Sequence, residues 1–180
     1  MTAPPYSRPR KALATILSTV ESYAALPRET RLGRLARTAD ELAAAIAQHG
    51  RVDLARRPAP AAWAPVEIVC HLRDSEEWFL ARCRMILAVD EPRFPRTNPD
   101  RWAIERQYLR HDPAGALDAF RRWREETRAL FAGASAEAWE RGGVHVDARG
   151  RRTLDAFLST IAWHDDNHLD QLRRALDGRP

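Results

Sequence analysis

Lysine is almost absent from this chain. Lys11 stands alone among 180 residues, and arginine carries the rest of the 29 basic side chains. Cysteine is scarce as well, with only Cys70 and Cys83. No Cys-x-x-Cys pair occurs, which excludes a zinc ribbon or a thioredoxin-type motif. The two cysteines fall in one expected helix, 13 residues apart. That is about 20 Å at ~1.5 Å per residue, too far for a bridge within the chain, so both are expected to be reduced and buried. No apolar run approaches the roughly 20 residues of a membrane helix. The first residues, MTAPPYSRPRK, lack the apolar centre of a signal peptide, and the cytoplasm is the expected location. A dense basic face is also missing. The net charge of +4 and pI of 9.7 invite nucleic acid as a partner, yet basic residues alternate with acids, as in RRWREE (121–126). A solvated helix face explains that pattern, and no nucleic-acid partner is expected.

What the chain does contain is helical periodicity. The length suits one domain with a substantial core. Residues 1–9 read as a loose tail, and 11–24 as a short amphipathic helix ending before Pro27, lying over the bundle or against a partner chain. Residues 28–48 carry Leu32, Leu35, Ala39, Leu42 and Ile46 at steps of three and four, the stripe of a core-facing helix. A second helix opens at Pro65, where a missing N–H does no harm, and runs to about Val89. Its stripe is Val69, Leu72, Phe79, Cys83 and Ile86, with Glu76 where an apolar residue is expected. Residues 90–112 are a long connection in which Trp102 to Tyr108 form a short helix. Asp112-Pro113 starts a third helix to about Phe131, with Leu117, Phe120 and Leu130 inward. Ser135 caps a short turn, and a small hairpin around Val144–Val146 has its tip at 147–150. The last helix runs from near Thr153 to about Leu176. Its stripe passes through Leu154, Phe157 or Leu158, Ile161, His164, His168, Leu172 and Leu176. Four long helices with one stripe each predict an all-α four-helix bundle over 28–180, preceded by a tail and short helix over 1–27. The 49–64 loop is expected to join neighbouring antiparallel helices, and the longer connections allow crossovers.

His164 and His168 carry the chemistry. Positions i and i+4 share a helix face about 5–6 Å apart, so both imidazoles can reach one ion at about 2.0–2.1 Å. Histidines bonded to backbone or carboxylates would leave the same pattern. His71, on another core-facing helix, offers a third nitrogen. Three protein ligands leave a position open for water or substrate, the arrangement of catalytic sites. A carboxyl-bridged dimetal centre is excluded, because Glu-x-x-His occurs nowhere in the chain.

The segments AWAPVEIVCHLRDSE (62–76) and WHDDNHLDQL (163–172) resemble the signatures of the DinB-like family, which includes the bacillithiol-transferase-like metalloproteins. The first places Trp63 before the helix, Glu67 in its first turn, and His71-Leu72-Arg73-Asp74-Ser75-Glu76 after it. The second matches His-x-x-x-His-x-x-Gln. NPDRW (98–102) and GGVHVDARGRRTL (142–154) also fit, so the resemblance spans about residues 28 to 177. It implies an up-down-down-up bundle, frequent homodimers, and His71, His164 and His168 as ligands of one divalent metal ion. Two departures stand out. Ala64 replaces the usual capping Ser or Thr, a loss of about 1 kcal/mol partly offset by Pro65 and Glu67. Asn98 stands where many relatives have Asp.

Around the three histidines, Asp74 is a candidate for orienting His71. Glu76 is a candidate general base, or a partner for a buried arginine. Gln171 lies on the face of His164 and His168 and is a candidate for bonding substrate or a ligand loop. His145 reads as a structural hydrogen-bonding residue, Cys70 as core, and His49 and His111 as surface residues near helix ends. The functional expectation is a metal-dependent enzyme. By resemblance it is a thiol S-transferase or hydrolase acting on a small molecule, with a low-molecular-weight thiol as possible cosubstrate, in detoxification or stress. Zinc or nickel is the expected ion, with iron or manganese also compatible with three nitrogens. The competing expectation is a metal-binding protein without catalysis.

Overall fold

The computed structural model describes residues 19–50, 52–95, 97–146 and 150–180. Within these, seven α-helices are joined by short strands: α1 (Val20–Ala24), α2 (Arg28–Gln48), α3 (Pro65–Ala88), α4 (Pro99–Glu105), α5 (Pro113–Ala132), α6 (Ala136–Glu140) and α7 (Leu154–Leu176). The long helices α2, α3, α5 and α7 are the expected four-helix bundle.

Each long helix starts where the local chemistry allows it. Asp112 accepts hydrogen bonds from the N–H groups of Ala114 and Gly115 at the start of α5. Thr153 does the same for Ala156 at the start of α7. At α3 the cap residue is Ala64, which has no acceptor. There Glu67 reaches back to the Ala64 N–H at 2.9 Å, so one orphan donor is still satisfied. Arg57 donates to the same carboxylate at 2.7 Å.

The bundle has two apolar ends. One gathers Leu42 of α2, Ile68 and Leu72 of α3, Phe120 of α5 and Leu172 of α7. The other gathers Leu35, Cys83 and Ile86, Phe131, and Leu158 and Ile161. Thus α3 and α5 run from the first end to the second, while α2 and α7 run the opposite way. The direction pattern is up-down-down-up. Polar pairs fix the parallel match of α2 with α7: Arg31 meets Asp155 and Ser159 near their starts, and His49 meets Asp177 near their ends. Helix α3 packs on α5 and α7, and α2 packs on those same two helices. Helices α2 and α3 therefore lie diagonally across the bundle. This corrects the expectation that the 49–64 loop joins neighbouring helices: it crosses the end of the bundle between diagonal ones.

Between the two apolar ends lies a polar layer with one residue from each long helix. Arg124 of α5 donates to Glu76 of α3 at 2.9 and 2.7 Å and to Asp165 of α7 at 2.5 and 2.9 Å. It also bonds Thr38 Oγ1 of α2, which itself donates to Asp165. All four side chains are buried. Reading RRWREE as a wholly solvated face is therefore wrong at Arg124. Leu117, Phe120, Arg124, Thr127 and Phe131 form the buried row of α5. Leu130, expected inward, is only half-buried, and its neighbour Phe131 takes the core position.

The connections hold more structure than expected. A three-stranded sheet joins β1 (Arg93–Phe94), β2 (Gly142–His145) and β3 (Arg151–Thr153), with β1 parallel to β2 and β2 antiparallel to β3. The hairpin was anticipated, though its tip at 147–149 lies outside the described residues. The parallel partner β1 was not anticipated, because two residues give no periodicity. Gly143 sits against β1 so closely that a Cβ there would lie 2.4 Å from the Phe94 ring. Helix α4 begins at Pro99, ahead of the expected Trp102, and Tyr108–Arg110 form a separate 3₁₀ turn. Helix α1, the described part of the expected 11–24 helix, packs on α7, where the Tyr23 hydroxyl bonds Asp166. Among the described residues no helix is long and apolar enough to cross a membrane.

Candidate metal centre

The sequence places His71 one and a half turns into α3, and His164 and His168 in the middle of α7. Because α3 and α7 pack antiparallel, these turns face each other. The three rings converge, with centroids 5.1 Å apart for His71 and His164, 4.5 Å for His71 and His168, and 4.3 Å for His164 and His168. One nitrogen from each lies within 4.8 Å of the others. The Nε2 atoms of His71 and His164 are 3.1 Å apart. Two nitrogens bound at 2.0–2.1 Å to one tetrahedral ion stand about 3.4 Å apart, so the cluster has the dimensions of a shared ligand set.

The histidines of α7 are rotated slightly off its buried stripe. Asp165 and Leu169 take the fully buried positions, while His164 and His168 are half-buried along the edge facing α3. One residue is about 100° of helix rotation, which separates the core row from the site row. His71 is only 3% exposed. The site is thus walled by protein on the α3 side and reachable along α7.

The surrounding residues hold the rings in place. The Oε1 of Gln171 is 2.8 Å from His168 Nδ1 and accepts its proton. That bond fixes the tautomer and leaves Nε2 with its lone pair for an ion. Gln171, expected to reach substrate or a loop, instead holds a ring. Trp63 stacks on His168 at 6.2 Å and tilts against His71 at 4.8 Å, covering the cluster from the start of α3. Phe79 sets its edge against His164 at 5.5 Å. Trp63 and Phe79 thus line the cluster with aromatic rings on two sides.

Two carboxylates expected near the histidines are engaged elsewhere. Asp74 does not bond His71. It accepts from Arg73 at 2.6 Å, Arg106 at 2.5 Å and Tyr108 at 2.6 Å. Burial acts to raise its pKa, but these three donors outweigh it and hold the carboxyl below its ordinary range. Helix rotation is the reason: Asp74 is turned toward the α4 connection. Both oxygens of Glu76 are taken by Arg124. Of the two roles considered for Glu76, the geometry favours the buried ion pair over the general base.

The remaining candidates are structural. His145 is buried between Phe94 and Phe157. Cys70 is core, its thiol pushed up to about 11 by burial. His49 bonds Ala45 and Asp177, and His111 meets Arg73 and the Arg106 carbonyl, both at helix ends. Asn98 occupies the cap position of α4, exposed and with no side-chain cap bond. Arg124, Asp165 and Thr38 were not anticipated, although each continues a three-four row of buried positions on its helix.

The family model of the DinB superfamily matches residues 34–172. The chain belongs to the DinB superfamily. No curated protein matches it by sequence. Among solved structures it is similar to YfiT from Bacillus subtilis, with a TM-score of 0.76 and 20% identity, covering 94% of this chain and 91% of that one. YfiT is described as a probable metal-dependent hydrolase with an unusual four-helix bundle topology. At this identity the likeness speaks for the fold.

Proposed function

We propose that this DinB-superfamily chain is an enzyme that holds one divalent metal ion through the Nε2 atoms of His71, His164 and His168. The observation that carries the reading is the convergence of three histidine nitrogens from two helices, one ring fixed from behind by Gln171. Among the described residues no other His, Cys, Asp or Glu joins the group. A three-ligand set leaves a position for an exogenous group, which favours a catalytic role over a closed structural site. Such an ion lowers the pKa of water or thiol bound to it and polarises a substrate carbonyl.

The chain's own residues do the rest. Gln171 keeps His168 in the ligating tautomer. Trp63 and Phe79 exclude bulk water from two sides. The half-buried edge of α7, from His164 to Gln171, is the route by which a small molecule approaches. Hydrolysis and transfer of a low-molecular-weight thiol both fit this arrangement, with zinc or nickel as the ion. The assembly is taken to be a homodimer, as the family resemblance implies.

The test is metal content of untagged protein, purified and then dialysed against zinc, nickel or manganese, beside a His164→Ala/His168→Ala variant. One ion per chain in the parent and none in the variant is the expected result. A parent that retains no ion under any of the three conditions would reduce the cluster to packed core histidines. With an ion in place, hydrolysis of activated esters or amides and conjugation of thiols to electrophiles separate the two reaction classes.

A further inference from the structure

Ser75 is a buried hydroxyl whose bonding differs from that of its counterparts. In the long helices, Thr127, Ser159 and Thr160 each donate to the carbonyl four residues earlier. That return bond is the ordinary way for a helical hydroxyl to satisfy its proton. Ser75 does not make it. Its one hydrogen-bonding contact among the described residues is to His71 Nε2, at a long 3.4 Å. The residue is only 4% exposed, so bulk water is not an easy alternative. A buried hydroxyl without an acceptor is unfavourable.

The position of Ser75 on α3 is equally specific. His71 lies one turn before it and Phe79 one turn after, on the same face. Both of those neighbours touch His164. Ser75 therefore sits in the middle of the α3 wall that faces His164. If His71 Nε2 ligates an ion, its lone pair is used and the hydroxyl of Ser75 loses its acceptor there. Because the hydroxyl is turned toward His71 Nε2 and makes no return bond, an acceptor beside that nitrogen is the partner this rotamer can take.

We propose that Ser75 donates a hydrogen bond to the exogenous group at the open position of the three-histidine site. The group it selects is a small anion, a hydroxide or a thiolate, each able to accept that proton. This rests on the metal-dependent reading above.

The test uses the full chain loaded with cobalt(II), whose visible spectrum reports the ligand shell, and azide as the probe anion. Ser75→Ala is expected to bind one cobalt per chain like the parent, with an unchanged helical circular-dichroism spectrum. Its azide affinity is expected to fall about 3- to 10-fold, the loss of one hydrogen bond. Ser75→Thr, which keeps the hydroxyl, is expected to restore most of it. Equal azide affinity in parent and Ser75→Ala overturns the inference and leaves the metal site standing. Loss of cobalt from Ser75→Ala also overturns it, since the hydroxyl would then support the ion or His71. Failure of the parent itself to bind cobalt overturns the metal site, and the inference with it.

Discussion

Glu76 and Arg124 meet in the centre of the bundle through two parallel hydrogen bonds of 2.9 and 2.7 Å. Asp165 meets the other side of the same guanidinium. Burial works against the charge on Arg124, but the two carboxylates outweigh it and raise its pKa further. The helices that supply them, α3 and α7, are the ones that carry the histidines. Removing one partner from a buried ion pair leaves an uncompensated charge, at a cost of about 3–5 kcal/mol. Arg124→Met is therefore expected to lower the free energy of unfolding in urea by about that amount. Glu76→Gln is expected to be destabilised as well, yet to keep the parent's metal stoichiometry. A Glu76→Gln protein of parental stability that fails in turnover would return Glu76 to the role of general base.

Gln171 makes a sharper prediction about the metal. Its side chain accepts the Nδ1 proton of His168 and so fixes which nitrogen faces the site. Partners of this kind are typically worth 10–100-fold in metal affinity. Gln171→Ala is expected to lose affinity in that range, measured by competition with a chromophoric chelator. Gln171 is half-buried, so thermal stability without metal is expected to change little. Unchanged metal affinity would mean that packing by Trp63 alone orients the ring.

Asp74 predicts a pH dependence. Its folded pKa lies below the ordinary value of 3.8 because the bonds from Arg73, Tyr108 and Arg106 outweigh burial. A carboxyl with a depressed folded pKa adds stability above its unfolded pKa and loses it as pH falls through the folded one. Asp74→Asn is therefore expected to be less stable than the parent at pH 7, by about 2–3 kcal/mol for a lost charged acceptor. The difference is expected to shrink as pH falls below about 4. A difference of constant size from pH 7 to pH 3 would show that the loss is packing and not charge.

The helices and the histidines were legible because each leaves a strong local signal. The rows at 28–48, 65–89, 113–131 and 153–176 repeat every three to four residues, and His164 and His168 share a face by spacing alone. His71 stood out as a third histidine on another core-facing helix, and the family resemblance strengthened it and supplied the direction pattern. Three things were not legible. Arg124 continues the row of Leu117 and Phe120, but an arginine between acids reads as solvated until its buried partners are seen on other helices. Asp74 lies three residues from His71, and spacing alone does not say that its donors come from residues 106 and 108. The diagonal relation of α2 and α3 depends on which apolar stripes meet, which no single stripe reveals.

Gly143 gives a prediction for the sheet that braces the 90–112 connection. Its backbone lies between β1 and β3, pairing with Arg152 on one side and packing on Phe94 on the other. An added Cβ would fall 2.4 and 2.7 Å from two carbons of the Phe94 ring and 2.8 Å from the Pro92 carbonyl oxygen. Phe94 is fully buried against His145 and Phe157, so its ring has little room to retreat. The backbone oxygen of Pro92 accepts from Val144 and is held as well. Gly143→Ala is expected to be overpacked and to lose about 1–3 kcal/mol. At this chain length that corresponds to a melting temperature lower by roughly 2–4 °C per kcal/mol. Phe94→Leu in the same chain vacates the ring edge, so the double variant is expected to recover part of the loss over Phe94→Leu alone. Strictly additive penalties in that cycle would place the strain of Gly143→Ala on the Pro92 carbonyl instead of the ring.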